Sequence, residues 1–284
     1  MRPLIQQMLT LLLGFFTTSS CLHALPISPT PHPSEKGYLC EKEKDLFPVK
    51  DWQHILEALI KTDGEVDYRL LQRDPLQSDF QSILRQVKKP LPKRLKPCVE
   101  LSYWLNAYHL FTIGHVLKYP KLNSVATAVN DSPRYTFFKQ AVHEVNGRLH
   151  SLNEIEHKKI RARFKDPRIH MALNCASKSC PQLYKHPFEA SKLDAQLRHL
   201  TRVFINDESK NTIDGKTLNL SKIFSWYATD FVGPNIDLKG VRQFILKHAD
   251  VPLGITPQDF HHTLLNAPIT YLPYDWSLNG DPPR

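Results

Sequence analysis

The chain has 284 residues, 41% of them hydrophobic and 23% charged, enough to bury a full core and too ordinary in charge for general disorder. Its formal net charge is +9, yet the densest basic run, KKPLPKRLKP at 88–97, is broken by three prolines. No block of five or more like charges occurs, which favours a solvated basic surface over a nucleic-acid footprint.

Met1-Arg2 is followed by the apolar run MLTLLLGFF (8–16), too short to cross a bilayer as a helix, and no acidic residue appears before Glu35. The pattern predicts a secretory signal peptide over 1–24, cut after Ala24. Lipid attachment at Cys21 is the competing reading, weakened by Thr18 standing where a Leu is usual. The Pro/Ser-rich stretch 25–44 reads as a linker, leaving 45–284 as one globular domain. No other stretch is long and apolar enough for a membrane span.

Trp52, Ile55, Leu56 and Leu59 recur at helical spacing, so 51–62 is an amphipathic helix closed by the turn TDGE. Helical patterns follow at 65–73, 76–88 and 98–118. The last is apolar around most of its circumference, the mark of a buried central helix, with Asn106 and His109 needing partners inside it. Asn146-Gly147 between alternating runs predicts a hairpin over 141–151. Ser151 and Glu154 form a capping box for the helix LNEIEHKKIRARF, with Glu156 inside its apolar stripe. Residues 168–174 alternate and read as a half-buried strand. A helix at 189–206, a hairpin turning at Asp214-Gly215, helices at 221–232 and 237–249 and an extended aromatic tail complete the chain. The sum is α+β: a mainly helical single domain with a small antiparallel β-sheet.

Several blocks together resemble a known family. YWLNAYHLFTI, SLNEIEHKKIR, DPRIHMALNCASKSCPQL, LSKIFSWYATDF and YDWSLN look like the family catalogued as domain of unknown function 547, in the family's order over about residues 63–279. The resemblance implies an α+β domain found in bacterial exported proteins and in some multidomain eukaryotic ones, with no established activity. It carries over to Asn106, Glu156, Arg161, His170, Cys175, Trp226, Asp230 and Trp276, among other positions.

After cleavage four cysteines remain, an even number suited to an oxidising compartment. The bland pairing is Cys40–Cys98 with Cys175–Cys180. The sharper reading makes Cys175 the nucleophile of a thiol-dependent hydrolase or acyl-transferase acting on peptide or envelope material. In that reading a histidine is the base, Glu156 or Asp275 orients it, and Asn106 donates to an oxyanion. His170 is the nearest histidine, but five extended residues span roughly 16 Å and odd spacing puts the two side chains on opposite faces. His109, His143 and His157 are the alternatives. Four residues between Cys175 and Cys180 suit neither zinc nor thiol–disulfide exchange, for which two are usual. No metal or cofactor is expected. A non-catalytic envelope binding or scaffold domain competes, in which Trp226, Tyr227, Tyr274 and Trp276 line a groove for a glycan, peptide or other envelope polymer, unless those rings are core.

Overall fold

The computed structural model describes residues 37–38, 40, 42–126, 137–214, 217–232, 238–251 and 256–284. The expected signal peptide, Cys21, residues 25–36 of the expected linker and Gly215 lie outside the described residues. Residues Pro33–Arg284 make one compact unit. Packing begins ahead of residue 45, because Tyr38 lies against the core and Cys40 is buried and bonded to Cys98.

Helix α1, Val49–Leu59, buries Trp52, Ile55, Leu56 and Leu59, the stripe its spacing predicts. It packs on α2, Leu76–Val87, which buries Phe80, Ile83 and Val87. The central helix α3, Pro97–Val116, starts with Pro at its first turn, where the missing N–H costs nothing, and is buried on every side. The helical expectation for 65–73 holds only in part. Val66–Asp67 is a short strand, β1, and Tyr68–Gln72 is a 3-10 turn capped by Asp67, whose side chain accepts from Arg69 N–H.

Strands β2, His143–Val145, and β3, Arg148–His150, form the expected antiparallel hairpin, with Asn146 and Gly147 both at positive φ. Ser151 then caps a helix over 152–164, α4, its side chain accepting from Glu154 N–H at 3.0 Å. The middle of α4, Ile155–Arg161, is π-helical. This wider turn carries Glu156, His157 and Arg161.

The expected strand at 168–174 is absent: Pro167–Met171 is a 3-10 turn. Asp166 caps it by accepting from Arg168 N–H, and Pro167 opens it. Both residues are helix-start signals that outweighed the alternation. The alternation is also not one of burial, since Arg168, Ile169, His170 and Met171 are all buried. Arg168 is taken inside by Asp166 and Asp194, at 2.7 and 2.9 Å.

Helix α5, Leu193–Ile205, packs on that turn. Strands β4, Thr212–Asp214, and β5, Thr217–Leu220, pair antiparallel, and β5 also pairs in parallel with β6, Ile269–Tyr271. Between them run α6, Lys222–Trp226; α7, Ala228–Val232; α8, Leu238–His248; and α9, Pro257–Asn266. Helix α9, capped by Thr256, went unread in the sequence. Strand β7, Gly280–Asp281, returns to pair in parallel with β1. The fold is thus mainly helical α+β, with parallel pairings added to the expected antiparallel ones.

Two apolar clusters result. One is built on α1–α3, the hairpin and α4; the other on β5, α6 and the helices around them. Met171 belongs to the second and Ala172 and Leu173 to the first, so the chain crosses from one to the other just ahead of Cys175.

Candidate functional site

Where the chain makes that crossing a cleft of about 250 Å³ opens. Its lining includes Glu156 and His157 from the π-helical turn, His170 from the 3-10 turn, Cys175 and Cys180, and the rings of Tyr108, Trp226, Tyr227, Tyr274 and Trp276.

The carboxylate of Glu156 accepts from Tyr227 OH at 2.7 Å and from Tyr108 OH at 3.4 Å. Burial, with the Glu156 charge next, raises the pKa of both phenols, so they stay protonated donors. Behind them Asp230 accepts from Arg161 Nε and Nη2, at 2.7 and 2.9 Å, and lies 2.7 Å from His170 Nε2. Burial pushes the Asp230 carboxyl up, but the hydrogen bonds from His170 and Arg161 and the Arg161 charge outweigh it and hold it below the usual carboxylate range. Burial also lowers the pKa of His170, against the pull of Asp230. We therefore take the imidazole as neutral, donating Nε2–H, with Arg161 as the balancing charge. Tyr227 stacks on His170 at 4.0 Å between centroids and receives the Arg161 guanidinium at 4.7 Å.

Cys175 and Cys180 are joined as a disulfide, as are Cys40 and Cys98. Both bland pairings therefore hold. Tyr274 OH lies 3.2 Å from Cys180 Sγ and 3.5 Å from Cys175 Sγ, and Ser177 Oγ lies 3.3 Å from Cys175 Sγ. The Cys175 N–H donates to Cys180 Sγ at 3.1 Å. Above them Trp226, Tyr274 and Trp276 form an aromatic ledge, with the two indoles stacked 5.7 Å apart and Trp226 46% exposed. The core reading fails for Trp226 and holds better for Tyr227.

Cys175, His170 and Glu156 share the cleft, but the structure does not assemble them with Asn106 as a hydrolytic set. With its sulfur bonded, Cys175 has no thiolate. Asn106 is buried elsewhere, its Nδ2 donating to Phe188 O and its Oδ1 accepting from Phe188 N–H, each at 2.8 Å. Among the alternative bases, His109 Nε2 accepts from Asn174 N–H at 3.1 Å, and burial lowers its pKa to about 4. His143 is buried against Phe111, away from the cleft lining. His157 lines the cleft with Nδ1 2.9 Å from Arg161 Nη1. Asp275 accepts from Ser277 N–H instead of orienting an imidazole. No group of three or more metal-ligating side chains occurs among the described residues, nor does any helix there suffice to cross a membrane.

Residues 92–205 match the family model described as "Protein of unknown function, DUF547". They are a DUF547 domain. The match covers the central helix, the π-helical turn and the cysteine loop. The blocks LSKIFSWYATDF and YDWSLN, which hold Asp230 and the aromatic ledge, lie beyond it. No curated protein and no solved structure matches the chain. Sequence reasoning carried Tyr108 and Asp230 only as positions of the family resemblance and Tyr274 only as a groove ring; it missed their partners, Glu156 for Tyr108, Arg161 and His170 for Asp230, and the cysteine sulfurs for Tyr274. Asp230 lies 69 residues from Arg161, and Tyr274 lies 94 from Cys180, separations that leave no local signal.

Proposed function

We propose that this DUF547 protein is a non-hydrolytic binding domain exported to the cell envelope, and that its cleft takes an extended polypeptide. The N-terminal pattern of basic start, short apolar run and small residues supports export, and two disulfides accord with an oxidising compartment. The observation that carries the binding reading is the Trp226–Tyr274–Trp276 ledge, exposed at Trp226 and half-buried at the other two rings, beside polar groups that already have partners. Glu156 is occupied by two phenols, Asp230 by His170 and Arg161, and Tyr274 OH by Ser177 and the sulfurs. A glycan would need unengaged donors and acceptors, whereas an apolar peptide segment needs ring faces. A hydrolase acting through Cys175 would need a free thiolate beside an imidazole, and the bonded sulfur argues against it.

The test is isothermal titration calorimetry of the native chain with Pro- and Leu-containing octapeptides and, in parallel, chito-oligosaccharides. Saturable heat with the peptides alone, lost in Trp226→Ala with an unchanged melting temperature, is the expected result. Silence from the peptides, binding by the oligosaccharides, or full binding by Trp226→Ala overturns the reading.

A further inference from the structure

The Cys175–Cys180 bridge has surroundings that a purely structural cross-link does not call for. Sulfur in a disulfide is a poor acceptor, yet two donors converge on Cys180 Sγ, the Cys175 N–H and Tyr274 OH, while Ser177 OH backs Tyr274 by donating to its phenol oxygen and lies 3.3 Å from Cys175 Sγ. Donors so placed stabilise a thiolate far more than a disulfide. Cys175 is partly exposed and lines the cleft, while Cys180 is 6% exposed. An incoming thiolate therefore reaches Cys175 first, and the leaving sulfur is the better supported one.

The loop is also held by hydrogen bonds that do not involve the bridge. Asn174 Oδ1 accepts from Ala176 N–H and Asn279 Nδ2, and Asn174 Nδ2 donates to Pro181 O. Lys178 N–H and Ser179 N–H donate to the carbonyls of Ser277 and Asp275. Ala176 is held at φ +65, the left-handed region, although fully buried. Such over-determined backbone strain is a feature of functional loops. By contrast Cys40–Cys98 is buried at both ends and closes a separation of 58 residues.

We propose that Cys175–Cys180 is an exchangeable couple that oxidises a dithiol polypeptide held in the cleft, a proposal that rests on the cleft's binding polypeptide. One substrate thiolate attacks Cys175 Sγ, a substrate–Cys175 disulfide forms, and the Cys175–Cys180 bond breaks with its electron pair on Cys180 Sγ. That thiolate is met by Cys175 N–H and Tyr274 OH. The second substrate thiolate attacks the substrate sulfur of the mixed disulfide and releases Cys175 as thiolate beside Ser177 OH. The substrate dithiol loses two electrons and two protons and becomes a disulfide; Cys175 and Cys180 take up the electrons as a dithiol. A disulfide-bearing oxidant restores the bridge by the reverse exchange. The four-residue spacing only enlarges the ring and leaves this chemistry intact.

The native chain is equilibrated in graded reduced and oxidised glutathione, alkylated, and read by mass spectrometry while circular dichroism monitors folding. Cys175 and Cys180 are expected to open at a reduced-to-oxidised ratio at least about tenfold below that needed for Cys40 and Cys98, with the fold retained. Cys180→Ser is expected to capture glutathione on Cys175, and Tyr274→Phe to slow the opening by about three- to tenfold. Opening only together with Cys40–Cys98, opening only in the unfolded fraction, or no capture by folded Cys180→Ser each overturns the proposal. Glutathione exchange without octapeptide binding keeps the couple and removes the polypeptide from the cleft. Peptide binding without exchange removes the couple alone.

Discussion

Lowering the pH from 7 to 5 is expected to remove about 4 kcal/mol of stability from two imidazoles that the fold keeps dry. His115 and His143 are 0% and 7% exposed, with ring centroids 5.4 Å apart. Among the described residues neither His115 Nδ1 nor His143 Nε2 has a hydrogen-bond partner. Burial, reinforced by Lys118, lowers the pKa of His115 to about 4; burial, with His115, Lys118 and His150, lowers that of His143 to about 3. In the unfolded chain both titrate near the ordinary 6.5. The folded values are depressed and the folded groups neutral, so the unfolded chain binds more protons below pH 6.5. Stability is complete above that pH and falls as pH drops toward 4 and 3. At pH 5 each unfolded ring is mostly charged while the folded ring is not, a loss of about 2 kcal/mol per residue. Urea denaturation at pH 7, 6 and 5 measures the slope, and the double variant His115→Phe, His143→Phe should reduce it, leaving the share of the other depressed imidazoles, His109 and His170. A midpoint that stays constant over this range, or an undiminished slope in the double variant, refutes the reasoning.

Three other outcomes follow from specific contacts. Cys98→Ser should cost about 4 kcal/mol and Cys180→Ser about 2, because the bridged separations are 58 and 5 residues and closure entropy grows with loop length; equal losses in denaturant titrations would contradict this. Asn106→Ala should lower stability by about 2–4 kcal/mol by orphaning both backbone groups of Phe188, and a variant of wild-type midpoint would show the pairing to be idle. Asp230→Ala leaves Arg161 and His170 without their shared acceptor and should cost about 2 kcal/mol, less than for a fully buried pair because Asp230 is 27% exposed. Asp230→Asn should recover part of it, and melting curves decide.

The helices α1 and α2 were legible from their apolar period, α3 from its long unbroken apolar run, and the hairpin from its Asn146-Gly147 turn. The buried Trp52–Leu59 stripe and the Asn146-Gly147 turn lie where the pattern put them. The turn at 167–171 was not, since the alternation Ile169, Met171 looked like a strand while Asp166-Pro167 was already a helix start. With the strand goes the parity argument that set His170 and Cys175 on opposite faces: both line one cleft. The cysteine pairing was readable from number and spacing. What those cysteines face was not, because Tyr274 reaches them from another part of the chain, with Trp226 packed on its ring.

The pairing of β7 with β1 sets the order in which the molecule can be finished. Val66 lies opposite Gly280, and a side chain on Gly280 would run into the Val66 carbonyl. The same returning segment bridges Ser124 to Ser277 and Ser177 to Leu278, and Asn279 closes on Tyr68 and Asn174. A stretch of a few residues near 280 is thus the strap that joins the first strand, the segment after α3 and the cysteine loop. Contacts across more than 200 residues are slow to form. During synthesis the earlier elements must wait, unlatched, until residues 276–281 emerge. Removing those six residues should leave the helices present and the cysteine loop undone.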